Sequence, residues 1–295
     1  MTPRKPNLQT SDDLLICNEC GTQYPVREDS GRNECKVCDD PRQYVPATGQ
    51  AFTTLGKLKG AGEFAIGERA ELIQTNRADI LWDLIPFLDQ ENIDKIVKLG
   101  GLEAIVTSHL RYYSTWADWS RTFSCPVSVG EPDKSWLERV DTPGAEIRVL
   151  HDTYTPIPRG SGATAILAGG HLPVSLLLHW SKILFIADTI FTSPSATNPV
   201  PGKDGVISST LWCSIANRVP LHPDEILRMW RVVKPYDFDT AFGAFRGQSC
   251  ECGESYDGAG GGARYWRSQG QAAAEPQELP KRDGWSGHAL LRETM

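Results

Sequence analysis

Along this chain the apolar positions switch repeatedly between a spacing of two and a spacing of three to four, the signature of strands interleaved with helices. Glu71–Gln74 and Asp79–Asp83 read as strands flanking the polar turn Thr75-Asn76-Arg77-Ala78, a β-hairpin opening a sheet, and Thr53–Lys59 alternates weakly ahead of it. Gln90–Leu99 places Ile93, Ile96 and Val97 at i, i+3 and i+4 with Gly100-Gly101 just beyond, which predicts an amphipathic helix and its stop. Ala104–Thr107 is a short apolar strand running into Ser108-His109, and Tyr113–Phe123 then carries helical spacing through Trp116, Trp119 and Phe123. Further strands are predicted at Cys125–Val129, Ile147–Leu150, Ala165–Ala168, Leu176–Trp180 and Ile183–Ala187. His222-Pro223-Asp224-Glu225 opens a last helix, with an early proline and acids in the first turn, Lys234-Pro235 closes it, and Thr240–Phe245 makes a final strand.

The ends differ from this middle. Residues 1–13 are polar, and beyond Gly247 the composition falls to Gly, Ala, Ser, Gln and Glu, too poor in apolar groups to pack, so disordered tails are expected over 1–13 and 248–295. A chain of 295 residues with 40% hydrophobic content supports one large domain, expected over 51–247, plus a compact cysteine segment over 14–45. No fixed repeat marks a solenoid or propeller. The net charge of −7 argues against nucleic-acid binding, which needs clustered Lys and Arg. The first thirteen residues lack the apolar run of a secretory signal. His179, Lys182 and Asp188 interrupt the most apolar stretch, Ser175–Phe191, so it makes no membrane span. A soluble cytoplasmic protein acting on a small molecule, with no nucleic-acid or membrane partner, is expected.

Eight cysteines change the picture only where they pair. Cys17-x-x-Cys20 and Cys35-x-x-Cys38 are separated by 14 residues, a spacing that lets two short knuckles present four thiolates to Zn²⁺ as in a zinc ribbon. Gly21 and Asp39-Asp40-Pro41 supply turn formers after each pair. Four protein ligands leave no open position, so this zinc would be structural. Four unrelated reduced thiols, or a redox pair without the expected βαβ setting, are the other readings. Cys125 before Pro126 reads as core, and Cys250-x-Cys252 is too close for an ordinary chelate pair.

Three polar signals fall at predicted strand ends: Ser108-His109-Leu110-Arg111, Gly169-Gly170-His171 and Ala187-Asp188-Thr189. With the opening hairpin and Asp83 at a strand end, this order resembles the metallo-β-lactamase superfamily over roughly Ala51–Gly247. The resemblance implies an αββα sandwich of the α/β class. In that superfamily a His-x-His-x-Asp-His run, a later His, a bridging Asp and a last His hold one or two metals. His109 matches the first His of the run, His171 the later His and Asp188 the bridging Asp. Arg111 stands where a second His is expected, Tyr113 and Ser114 where the Asp and third His are, and Gly243-Ala244-Phe245-Arg246 near the last His.

The resemblance therefore implies a single zinc on His109, His171 and Asp188, and hydrolysis of a small ester, thioester or lactone by a metal-activated water. Arg111, which cannot deprotonate to ligate, would face a substrate carboxylate or an oxyanion, and Tyr113 would donate to substrate. Asp83 is expected to be a supporting carboxylate rather than a ligand. The four departures also leave open a catalytically degenerate protein that binds or scaffolds through its cysteine segment. His151, His179, His222 and His288 lack partner spacing. His179 reads as core and His222 as a helix start.

Overall fold

Leu15, Ile16 and Cys17 form β1 (Leu15–Cys17), buried along its whole length and paired antiparallel with β2 (Phe52–Thr54), Leu15 facing Thr54 and Cys17 facing Phe52. This pairing ties the cysteine segment to the chain that follows it. The weak alternation over 53–59 ends at Thr54: its hydroxyl accepts from the Lys57 amide at 3.2 Å, and Leu55–Ala61 winds into α1. A side-chain oxygen satisfying an early helical N–H overrides so faint a strand pattern. The computed structural model describes residues 6–61, 69–192, 209–245 and 249–251. The chain divides into two compact units, the first comprising residues up to His151 with Pro156–Gly162, the second Asp152–Thr155 and residues from Ala163 onward.

The first unit holds the cysteine segment and a five-stranded sheet. β3 (Glu71–Ile73) and β4 (Ile80–Trp82) make the predicted hairpin, Leu72 facing Leu81. Thr75 Oγ1 closes its turn by accepting from the Ala78 amide at 2.9 Å. Parallel neighbours need long crossovers, and helices provide the next two. α2 (Gln90–Leu99) links β4 to β5 (Ala104–Val106), and α3 (Trp116–Phe123) links β5 to β6 (Val127–Gly130). β7 (Ile147–Leu150) completes the order β3-β4-β5-β6-β7, with β4 through β7 parallel. β4, β5 and β6 are buried throughout, which is why they read as apolar runs rather than alternations.

Of the stretch expected as a tail, residues 6–13 are described and run along α3. The Gln9 amide donates to Thr122 Oγ1 at 3.1 Å and the Ser11 amide to Asp118 Oδ2 at 3.0 Å. Asp118 is wholly buried, and Arg139 at 2.9 Å and Arg121 at 2.7 Å neutralise it. A buried carboxylate with two guanidinium partners is a fixed anchor for a polar strand of chain that has no apolar pattern to reveal it.

The second unit carries a six-stranded sheet ordered β17-β16-β11-β10-β9-β8. Here β8 (Tyr154–Pro156) lies at one edge, β9 (Ala163–Leu167), β10 (Leu176–Trp180) and β11 (Ile183–Ala187) form an antiparallel meander, and two small ribbons follow. One pairs β12 (Phe191–Thr192) with β13 (Ser209–Thr210), the other β14 (Trp212–Ser214) with β15 (Val219–Pro220). α4 (Pro223–Val233) then leads to β16 (Thr240–Gly243), which lies parallel to β11. Ile166, Leu177, Leu184, Ile186, Val233 and Ala241 make the core beneath α4. β17 (Ser249–Glu251) pairs with β16, so backbone pairing reaches three residues into the segment expected to be disordered; 252–295 lie outside the described residues. Both units are mixed α/β, as the pattern predicts. No helix among the described residues is long and apolar enough to cross a membrane.

Two candidate metal centres

The first centre is built on β1. Cys17 ends that strand, its amide donating to Thr22 O at 3.0 Å, and the Gly21 amide returns to Cys17 O at 2.9 Å, closing a knuckle that needs Gly21 at φ +70. The second knuckle repeats the device, Asp39 N–H donating to Cys35 O at 3.0 Å. The four sulfurs of Cys17, Cys20, Cys35 and Cys38 are buried and lie within 4.8 Å of one another. Cys17 and Cys38 approach to 3.7 Å and Cys20 and Cys35 to 3.5 Å. A Zn–S bond of about 2.3 Å places tetrahedral sulfurs roughly 3.8 Å apart, whereas a disulfide needs about 2.05 Å, so the spacing is that of a metal cage.

Protons are shared unevenly inside this cage. Hydrogen bonds from Cys17, Cys20 and Cys38 hold the Cys35 thiol far below its usual range, while Cys20, donating chiefly to Cys17, is pushed well above it. Tyr24 OH donates to Cys35 Sγ at 3.0 Å, and the Arg32 guanidinium lies 3.8 Å from the Tyr24 ring centroid. Tyr24 carried no sequence signal, because only the fold brings it to the sulfurs.

His109 lies in the first unit at the carboxyl end of β5, fully buried and in extended backbone. The strands on either side hold its loop. Asp83, at the end of β4 with φ +61, accepts from the Ser108 amide at 2.6 Å and from Ser108 Oγ at 3.0 Å, the supporting role expected of it. Asp133, which follows β6, accepts from the Leu110 amide at 3.1 Å. Burial pushes the Asp133 carboxyl up to about 6, against the pull of His109 and the Leu110 N–H. Asp133 carries no motif in the sequence, since its role comes from β5 and β6 lying side by side. The Tyr113 phenol is buried, and burial together with the neighbouring Asp133 carboxylate raises it well above its ordinary range. Arg111 Nη1 donates to Gln43 Oε1 at 2.6 Å, toward the loop after the second knuckle.

His171 and Asp188 belong to the second unit, where an imidazole nitrogen and a carboxylate oxygen of the two lie within 4.8 Å, both residues buried. His171 sits in the short loop between β9 and β10, reached through Gly169 at φ +65 and Gly170 at φ +105. A φ of +105 is one that residues with a Cβ rarely adopt, which favours glycine at 170. His171 Nδ1 lies 3.1 Å from Trp212 O. A carbonyl only accepts, so Nδ1 carries the proton and Nε2 keeps its lone pair, the arrangement of a metal-ligating imidazole. Asp188 follows β11, where the β11–β16 register slips between Phe185 and Ala187 and Ala187 takes φ +43. That bulge turns the carboxylate out of the ladder.

The remaining histidines and cysteines do other work. His222 caps α4, Nδ1 accepting from the Asp224 amide at 3.2 Å, as its position before Pro223 predicts. His179 is half-buried rather than core, its Nε2 2.9 Å from Asp237 O beside the Tyr236 ring, because the outer face of β10 is covered only in part. Cys125 is buried, as expected, and burial pushes its thiol up to about 12. His288, Cys252 and the Cys250 side chain lie outside the described residues.

No family model matches this chain. Among solved structures it is similar to the metallo-β-lactamase DIM-1, with a TM-score of 0.43 and 10% identity over 83% of this chain and 91% of that one. It is also similar to a B3 metallo-β-lactamase with an active-site glutamic acid, with a TM-score of 0.42 and 17% identity over 87% of this chain and 100% of that one. The uncharacterized protein YmaE of Bacillus subtilis (strain 168) is 33% identical over 255 residues, 78% of this chain and 88% of that protein. At that identity over most of both chains, this chain belongs to the same family as Bacillus subtilis YmaE.

Proposed function

We propose that this chain is a zinc-dependent hydrolase of a small ester, thioester or lactone, with His109, His171 and Asp188 on one catalytic ion and the four cysteines on a structural one. The observation that carries the reading is the His171–Asp188 pair: a buried imidazole with its tautomer set by Trp212 O, next to a carboxylate that a strand bulge delivers to the same place. A buried imidazole and a buried carboxylate brought to one place offer donor atoms that suit Zn²⁺ with a position left open. His109 completes the set in the superfamily order, and Asp83 and Asp133 fix its loop from both sides. Zinc there would polarise a substrate carbonyl and lower the pKa of a water. Arg111, whose Nη1 donates to Gln43 Oε1, would in this reading orient an anionic substrate group rather than ligate, since a guanidinium stays charged. Tyr113, buried beside Asp133, would in this reading donate its phenol to substrate.

The test is Asp188→Ala in the full chain, with metal content and turnover of chromogenic esters, thioesters and lactones measured together. The account expects one metal equivalent lost and turnover down by at least 10²-fold with the fold retained. Full stoichiometry and full turnover would sink it. Arg111 in place of a second histidine favours the other reading, a catalytically silent scaffold, which expects one metal per chain and no turnover before any substitution.

A further inference from the structure

The cysteine centre does not stand apart from the loop that carries His109. From the first knuckle, the Gln23 amide donates to Ser114 O at 3.2 Å and Ser114 Oγ donates to Gly21 O at 3.4 Å. Gly21 lies so close to the 84–86 segment that a Cβ would sit 2.6 Å from Pro86 Cγ, and Thr115 Oγ1 donates to Pro86 O at 3.1 Å. Lys36, inside the second knuckle, pairs with Glu138 at 2.9 Å and donates to Ser135 O at 3.0 Å, gripping the turn that presents Asp133. Gln43, in the loop that follows, accepts from Arg111 at 2.6 Å. The links to Ser114, Arg111, Ser135 and Glu138 end within six residues of His109 or of Asp133, which holds the Leu110 amide, and the approach to Pro86 reaches the same loop through Thr115.

From this convergence we infer that the four-cysteine centre is a positioning device for the second metal centre: metal at the cysteines fixes the two knuckles, and the knuckles, through Gly21, Gln23, Lys36 and Gln43, fix the loop carrying His109. Gln43 and Lys36 are its positioning residues. The inference rests on the proposed His109–His171–Asp188 centre. The segment buries only a few apolar side chains besides its cysteines, among them Leu15, Ile16, Tyr24 and Val37, and metal coordination adds the order that holds the knuckles still. The order a metal imposes at one centre lowers what the other must impose, so affinity at the two centres is coupled, and equally in both directions.

The coupling is tested on the full chain, stripped by chelation and titrated with zinc against a chromogenic competitor. Cobalt loading is followed in parallel, because the thiolate-to-cobalt charge-transfer band reports the cysteine centre alone. Wild type should yield two dissociation constants. In Gln43→Ala and in Lys36→Ala the constant assigned to the cysteines and the thermal midpoint should hold, while the second weakens roughly tenfold, inside the usual range for coupled sites. Gln43→Glu, which keeps an acceptor for Arg111, should restore it. A second constant unchanged in both alanine variants overturns the inference and leaves the hydrolase reading standing. A single equivalent of metal in wild type overturns both.

Discussion

At the scale of single residues, the side chains that matter are those whose burial conflicts with their polarity. Asp118 meets that conflict with two arginines, and Asp133 with a backbone amide and a carboxyl pushed up to about 6. Glu71 meets it with Arg69 at 2.6 Å, yet burial still pushes its carboxyl up to about 7. A carboxyl raised on folding binds its proton more tightly in the native state, so stability is highest below the unfolded pKa and falls as pH rises toward about 7. Glu71→Gln should remove the share of that slope due to Glu71, leaving the share due to Asp133, and raise stability at pH 8 by at most about 3 kcal/mol. Urea midpoints from pH 4 to 8 check it, and a variant that keeps the wild-type slope contradicts the assignment. Asp188 and His171 were legible by type and place in the sequence, because a strand end and a Gly-Gly pair announced them. Asp133, Tyr24 and Gln43 were not, because each acts through a neighbour distant in sequence.

Elements were legible where pattern and cap agreed. α2 runs over Gln90–Leu99 as its periodicity predicts, and both ends carry chemistry: Asp89 accepts from the Asn92 amide at 2.8 Å, and Gly100 turns the chain at φ +137. Asp89→Ala should cost about 1 kcal/mol with no change in metal content, read from the denaturation midpoint and metal analysis. A loss above ~3 kcal/mol would show that Asp89 does more than cap. β7, β10 and β11 likewise match their apolar runs. The short elements escaped. α1 was hidden because Gly56, Lys57, Lys59 and Gly60 give it no apolar face, and the two-residue ribbons β12–β13 and β14–β15 are set by cross-chain pairing alone.

For the whole molecule, the sequence separated a cysteine segment from a larger domain, while the structure groups that segment with the first sheet in one unit. The reason is physical: β1 pairs with β2, the chain from Asn7 to Ser11 hydrogen-bonds along α3, and the knuckles bind the His109 loop, and none of these contacts leaves a periodic trace. Cys35→Ser should accordingly reach beyond its own segment, lowering the unfolding midpoint of the first unit by several degrees as well as removing one metal. Protease resistance of residues 14–45 unchanged by the substitution would contradict that. The central claim is that the chain holds two metals with different donors. Anomalous diffraction measured on both sides of the zinc absorption edge, on crystals of zinc-loaded protein, locates every zinc at once. The account predicts two peaks per chain, one among Cys17, Cys20, Cys35 and Cys38 and one on His171 and Asp188 with His109; a single peak at the cysteines would contradict it.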